Sequence, residues 1–220
     1  MNPLRRILSP VDFGLITHLV HQLHEESALP LPGIRAHLAV SANQVAAHWE
    51  LEPNHQKSAV LILLYPRKSQ WHIVLMLRAR GDKTHSGEVS FPGGRMEEKD
   101  LHPTFTALRE ADEELAIKAD QIEVLGHLSQ LYIPVSNFLV YPILAYTNKR
   151  PAFEARESEV AEIMEVRMKD LLRPEALRSI PMRLGSGLKI QVPSFEVGPY
   201  PIWGATAMIL NELLELIRRR

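Results

Sequence analysis

The sequence predicts a layered α/β sandwich. Two observations lead there: β-rich runs recur from residue 59 onward, and three amphipathic helical stretches are set among them. A chain of 220 residues can bury a core of its own, and no shift in composition marks a second domain.

The elements follow in order. Ser9-Pro10-Val11-Asp12 offers an N-cap, a proline at the first helical position and an acid in the first turn. Phe13, Ile16, Val20 and Leu23 then recur at helical spacing, predicting a helix to about Glu26. Leu29-Pro30-Leu31-Pro32-Gly33 breaks it, and residues 34–57 carry only a weak helical signal near Asn43–Trp49. Ala59–Tyr65 and His72–Arg78 read as neighbouring strands around a turn at Pro66–Gln70. Residues 79–102 hold Gly81, Gly87, Gly93, Gly94 and Pro92, a loop long enough to suggest function. A helix follows over Pro103–Leu115, with Phe105, Leu108, Ala111 and Leu115 as its apolar stripe. Ile122–Ser129, Phe138–Tyr146 and Val160–Arg167 read as strands. Pro142 marks the second as an edge strand or the site of a bulge. Lys189–Val192 and Ser194–Val197 suggest a late hairpin, and Ala205–Arg218 a C-terminal helix.

Charge and composition then exclude classes. There are no cysteines, which removes disulfide frameworks, thiolate metal sites and cysteine nucleophiles and fits a reducing, cytoplasmic setting. The formal net charge is −1, so no basic surplus points to nucleic acid, and Arg218-Arg219-Arg220 reads as favourable charge at a helix C-terminus. The longest apolar run, Ala59–Tyr65, is far too short to span a bilayer of ~30 Å, so no membrane partner is expected.

The informative chemistry lies in Gly93-Gly94-Arg95 and in Arg109-Glu110-Ala111-Asp112-Glu113-Glu114. On a helix, Glu110, Glu113 and Glu114 stand at i, i+3 and i+4 and share a face. A run of acids is commonly no more than a solvated surface. Here Glu110 and Glu114 repel at i, i+4, and Glu113 and Glu114 fall in the last turn, where the helix dipole disfavours anions. Arg109 and Lys118, each four residues from a glutamate, offer partial relief. A cluster set against its own electrostatics is better explained by a cation it collects. Oxygen donors without His or Cys suit Mg²⁺ or Mn²⁺. Metal, phosphate and a glycine loop together point to a metal-dependent phosphate ester or anhydride hydrolase.

These residues resemble the Nudix box: a glycine, a spacer, an acid, then Arg-Glu-x-x-Glu-Glu-x-Gly. Arg109–Glu114 matches the helical half, and Ala116 replaces the final glycine. The spacing from Gly94 to Arg109 is one residue longer than in the commonest form, which with Asp100 resembles the coenzyme A pyrophosphatase branch. Leu75, Arg78, Ala79, Gly87, Phe91, Pro92, Gly93 and Gly94 match that branch's upstream motif, with Lys83 in place of Arg and Met76 in place of Thr. The likeness continues through Pro134-Val135-Ser136-Asn137-Phe138, Glu159-Val160-Ala161-Glu162 and Ile202–Ala207.

The resemblance implies a Nudix-type α/β/α sandwich with a mixed β-sheet over residues 58–220, with residues 1–57 as an N-terminal helical extension packed on it, serving homodimerisation or substrate closure. It implies a pyrophosphohydrolase that cleaves coenzyme A or its thioesters to 3′,5′-ADP and 4′-phosphopantetheine. Alternatives are ADP-ribose, a dinucleotide or a nucleoside triphosphate as substrate, or a silent nucleotide-binding domain. Mg²⁺ or Mn²⁺ would be held by Glu110, Glu113, Glu114 and the Gly93 carbonyl. Arg109 would orient the glutamates, and Glu110 or Glu159 would act as base. Arg78, Lys83, Gly87, Phe91, Ser136 and Phe138 would face the substrate. Lys83 supplies a point charge where Arg would supply a planar fork. Ala116 carries a cost of about 1 kcal/mol or more if its backbone is left-handed.

Overall fold

The computed structural model describes residues 14–24, 29–41, 50–80, 86–183 and 189–219. The predicted cap at Ser9–Asp12, the helical signal at Asn43–Trp49 and Lys83 lie outside the described residues.

The sheet is built on β1 (Gln56–Arg67) and β2 (Gln70–Arg78), an antiparallel hairpin. Both strands run further than predicted. Their turn is two residues, Lys68 and Ser69, at φ 48° and 59°, the positive φ that a tight hairpin of matching twist demands. After β3 (Val89–Ser90) and β4 (Gly93–Arg95) come α3 (Pro103–Leu115), β5 (Glu123–His127), β6 (Leu131–Ile133), β7 (Phe138–Tyr146) and β8 (Val160–Arg167). β7 runs parallel to β1, while β4 pairs β1, β5 and β6 pair β7, and β3 and β8 pair β2, all antiparallel. The result is an eight-stranded mixed sheet.

Period-two alternation serves two cores at once. Ile62 and Leu64 of β1 and Ile73 and Leu75 of β2 face one cluster. It also takes Leu15, Ile16 and Leu19 of α1 (Gly14–His24) and Leu210, Leu213 and Leu214 of α5 (Gly204–Arg218). Leu61, Leu63 and Tyr65 of β1 and Val74 and Met76 of β2 face the other, closed by Ala107, Ala111 and Leu115 of α3. Helices therefore cover both faces, the α/β/α arrangement expected. Phe105, placed in the α3 stripe by its spacing, is 57% exposed instead, and Thr106 and Ala107 are buried in its stead.

Three expectations are corrected. β7 is no edge strand, since it lies between β1 on one side and β5 and β6 on the other. Pro142 is tolerated because its carbonyl accepts from Leu128 N at 3.0 Å, which turns its nitrogen, lacking a hydrogen, toward the gap where β5 ends and β6 has not begun. The late hairpin is also drawn differently: Lys189–Phe195 is one strand, β10, and its partner is β9 (Leu177–Arg183) in a separate two-stranded sheet. Finally, α2 (Gly33–Ala39) was not visible as a helix. It is held by the wholly buried Glu212 of α5, which accepts from Gly33 N (3.1 Å), His37 Nε2 (2.8 Å) and Ser129 N (3.2 Å). Between β8 and β9 lies the short α4 (Met168–Leu171).

α3 begins at Pro103 behind His102, whose Nδ1 accepts from Thr104 N. It ends at Ala116 with φ 56° and ψ 30°, and Ala116 N and Ile117 N return to the Asp112 and Ala111 carbonyls. The left-handed cost anticipated for alanine therefore applies. Ala116→Gly is expected to stabilise the protein by about 1 kcal/mol. A chemical-denaturation midpoint that does not rise would show the strain to be absent.

Candidate active site

Two glycines bring α3 against the sheet. A Cβ on Gly93 would stand 2.3 Å from the Ala59 carbonyl oxygen, and one on Gly94 would stand 2.5 Å from the Glu110 carboxylate. Only glycine lets β4 pair with β1 at Ala59 and Val60 while Glu110 lies across it. From this close approach Gly93 N donates to Glu114 Oε2 at 2.8 Å.

Glu114 is the unusual group. Its side chain is 1% exposed, and Arg78 Nη1 stands 3.7 Å from Oε1, beyond hydrogen-bond range. Oε1 has no hydrogen-bond partner among the described residues. Burial pushes its carboxyl up to about 7, against the Gly93 N–H and Arg78, and the neighbouring charges of Glu110 and Glu159 push the same way. Glu110 is also raised, chiefly by burial, although Arg109 opposes it.

Arg109 is held as a fixed fork. Its Nε and Nη2 donate to Asp100 Oδ1 (3.2 Å) and Oδ2 (2.9 Å), its Nη2 also donates to the Arg95 carbonyl (3.1 Å), and its Nη1 donates to Glu110 Oε1 (2.9 Å). Asp100 in turn accepts from Glu97 N and Thr106 Oγ1, both at 3.0 Å, and Arg109 above all holds its carboxyl down at about 2. Asp100 is the residue whose part the sequence reading missed. It stood there only as a mark of spacing, because the pairing joins an acid ahead of α3 to an arginine at the middle of that helix and follows from how the two pack, not from local periodicity.

Glu159 arrives by backbone contacts. Arg156 N and Glu154 N donate to the Glu114 and Leu115 carbonyls at the end of α3, and the Glu159 carbonyl accepts from Ala79 N at 2.8 Å. Arg78 is turned by an irregularity in the β2–β8 pairing between Leu77 and Arg78, and Gly87 N closes the loop onto the Arg78 carbonyl with φ 75°.

The structure thus brings Arg78, Gly93, Arg109, Glu110, Glu114 and Glu159 to one place. Glu113 is more exposed and reaches Arg109 Nη1 at 3.5 Å. The three glutamates do not form a ready cage: among the described residues no three acidic or histidine side chains stand at metal-holding spacing. Lys118 does not relieve Glu114 as expected but pairs with Asp112 at 2.5 Å. Phe91 is a correction, because at 2% exposure it is a core residue packed toward α5 and cannot present its ring to a ligand. Ser136 and Phe138 lie at the β6–β7 turn and the first residue of β7, opposite Gln56, and no hydrogen bond or ion pair among the described residues joins either to the carboxylates.

A divalent cation fits these residues on one observation. A buried carboxylate with an oxygen lacking any donor is costly, and a hard cation would satisfy Glu114 Oε1 while lowering both raised carboxyl groups.

Comparison with known proteins agrees with this geometry. The NUDIX domain model matches residues 55–183. A protein of Citrobacter koseri described as the uncharacterized Nudix hydrolase NudL is 32% identical over 161 residues, covering 73% of this chain and 82% of that one. Its namesake from Yersinia enterocolitica is 34% identical over 166 residues, covering 74% and 83%. Among solved structures, a MutT/nudix family protein from Enterococcus faecalis is similar in fold, with a TM-score of 0.54 at 15% identity, covering 79% of this chain and 66% of that one.

Proposed function

The chain belongs to the Nudix family of hydrolases, enzymes that cleave phosphoric anhydrides, and on that premise we propose that its substrate is coenzyme A or an acyl thioester of it. The products are 3′,5′-ADP and (acyl) 4′-phosphopantetheine. The observation that carries the reading is the Arg78–Glu114–Gly93 arrangement. A cation from the upstream motif stands over a buried carboxylate at the head of the Gly93-Gly94 turn, where a diphosphate can meet both a guanidinium and a metal ligand.

Mg²⁺ or Mn²⁺, which Nudix hydrolases generally use, would be held by Glu114 and Glu110 with Glu113 and the Gly93 carbonyl. When bound it supplies charge neutralisation and a more acidic water. Arg109 holds Glu110 in position, and Asp100 holds Arg109. Arg78 binds a phosphate oxygen from the end of β2, where Gly87 N donates to its carbonyl. Glu159, whose charge raises both Glu110 and Glu114, takes the proton of the attacking water. Lys83 falls between Arg78 and Gly87 in the sequence, and its charge suits the substrate's 3′-phosphate.

A chromatographic assay of coenzyme A with the purified protein and Mg²⁺ or Mn²⁺ tests this. The two named products are expected. Turnover of ADP-ribose or a dinucleotide but not of coenzyme A would keep the chemistry and discard the substrate. Failure of every substrate would favour a binding domain.

A further inference from the structure

Charge is segregated along β1. Its first half, paired with β4, adjoins Glu97, Glu98, Asp100, Glu110, Glu113, Glu114 and Glu159 against Lys57, Arg78, Arg95, Lys99 and Arg109, an acidic surplus. Its last residues, about 20 Å further along at the usual rise, reach a very different end. There the register sets Leu64 beside Tyr146 and Ile73, and His72 beside Arg167, so three connections gather: the β1–β2 turn, the segment after β7, and the β8–α4 junction. They carry Arg67, Lys68, Lys149, Arg150, Arg167, Lys169 and Arg173 against Glu165 and Asp170, with Asp120 and Glu123 on the flank.

The two carboxylates are each shared between two guanidiniums. Glu165 takes Arg150 through Nε (2.7 Å) and Nη2 (2.9 Å) and Arg67 at 3.2 Å. Asp170 takes Arg167 at 2.5 Å and Arg173 at 2.9 Å. Each triad therefore keeps a surplus positive charge. Arg150 also lies over the Phe153 ring at 5.1 Å, which holds it in place. Lys68, Lys149 and Lys169 are exposed and form no ion pair among the described residues.

We propose that this end of the sheet docks on an anionic lipid surface, with Lys68, Lys149 and Lys169 as the contacting charges. A single-stranded nucleic acid is the poorer fit because it needs exposed aromatic rings to stack on, and Tyr65, Trp71, His72 and Tyr146 here are all buried. The charges are spread over three turns, which suits a plane of headgroups. No large apolar side chain is exposed on these turns among the described residues, so attachment is electrostatic, reversible and weakened by salt. The acidic end then faces solution, where a nucleotide substrate arrives. Whole-chain arithmetic concealed this surface, because a net charge of −1 averages the two ends.

Co-sedimentation of the full chain with phosphatidylglycerol and with phosphatidylcholine vesicles, at low and physiological salt, tests the proposal. Binding to the first alone is expected, decreasing with salt. A Lys68→Glu, Lys149→Glu, Lys169→Glu variant is expected to partition roughly a hundredfold less at an unchanged melting temperature. Absence of binding, or equal binding by this variant, would overturn the assignment. So would tighter retention of single-stranded RNA than of the anionic vesicles. Since the readout is lipid binding, its failure leaves the proposed hydrolysis untouched.

Discussion

Glu114→Gln is expected to lower turnover by ~10² or more, in the range for loss of a group that stabilises charge in the reaction, without lowering the melting temperature of the metal-free protein. The two halves of this expectation have one cause. Glu114 is a buried carboxylate with one oxygen satisfied by Gly93 N and the other by nothing nearer than Arg78 at 3.7 Å. Keeping it charged in the unliganded protein is unfavourable, as its upward shift to about 7 records. Glutamine retains an acceptor for Gly93 N and removes the charge, so folding does not suffer. It cannot hold a divalent cation with comparable strength. Mg²⁺ titration should show weaker binding in parallel with the loss of rate. Turnover equal to wild type would move the metal away from this helix, and a melting temperature several degrees lower would mean that Glu114 is ionised and structurally required even without metal.

What the sequence made legible was what depends on local periodicity. α3, β7 and β8 begin and end where their apolar spacing and flanking residues place them. α2 was hidden because seven residues carry little periodic signal, and its hydrogen-bond partner Glu212 lies 179 residues away from Gly33. β10 was split at Pro193, although on a two-stranded sheet a proline finds an edge readily. At the site, helical spacing put the three glutamates on one face of α3. It could not tell that Glu114 turns inward to Gly93 while Glu113 stays in solvent, since that follows from the strand α3 rests on. Phe91 was misread for a similar reason: the same Phe-Pro-Gly-Gly turn that shapes the site sends its aromatic ring into the core.

Asp100 shows how much of the site rests on a residue that need touch no substrate. It accepts four hydrogen bonds, two of them from the guanidinium that in turn holds Glu110. Asp100→Asn preserves shape but removes the charge and presents an amide where Arg109 needs an acceptor. The expected outcome is a fall in kcat of about 10-fold to 100-fold with KM little changed, the signature of a group that positions rather than binds. Stability should fall by about 2 kcal/mol, the order of a charge-assisted hydrogen bond left unmade. The pH dependence gives an independent check. Because Arg109 depresses the Asp100 carboxyl from 3.8 to about 2, the wild-type contribution is present above the ordinary carboxylate range and is lost as pH falls through about 2. Asp100→Asn has no such contribution to lose. The difference in denaturation free energy between the two proteins should therefore be constant near neutrality and shrink as pH drops below about 4. A difference independent of pH would mean that Asp100 acts through shape alone. A loss of stability with full kcat would mean that Glu110 keeps its place without the Arg109 fork.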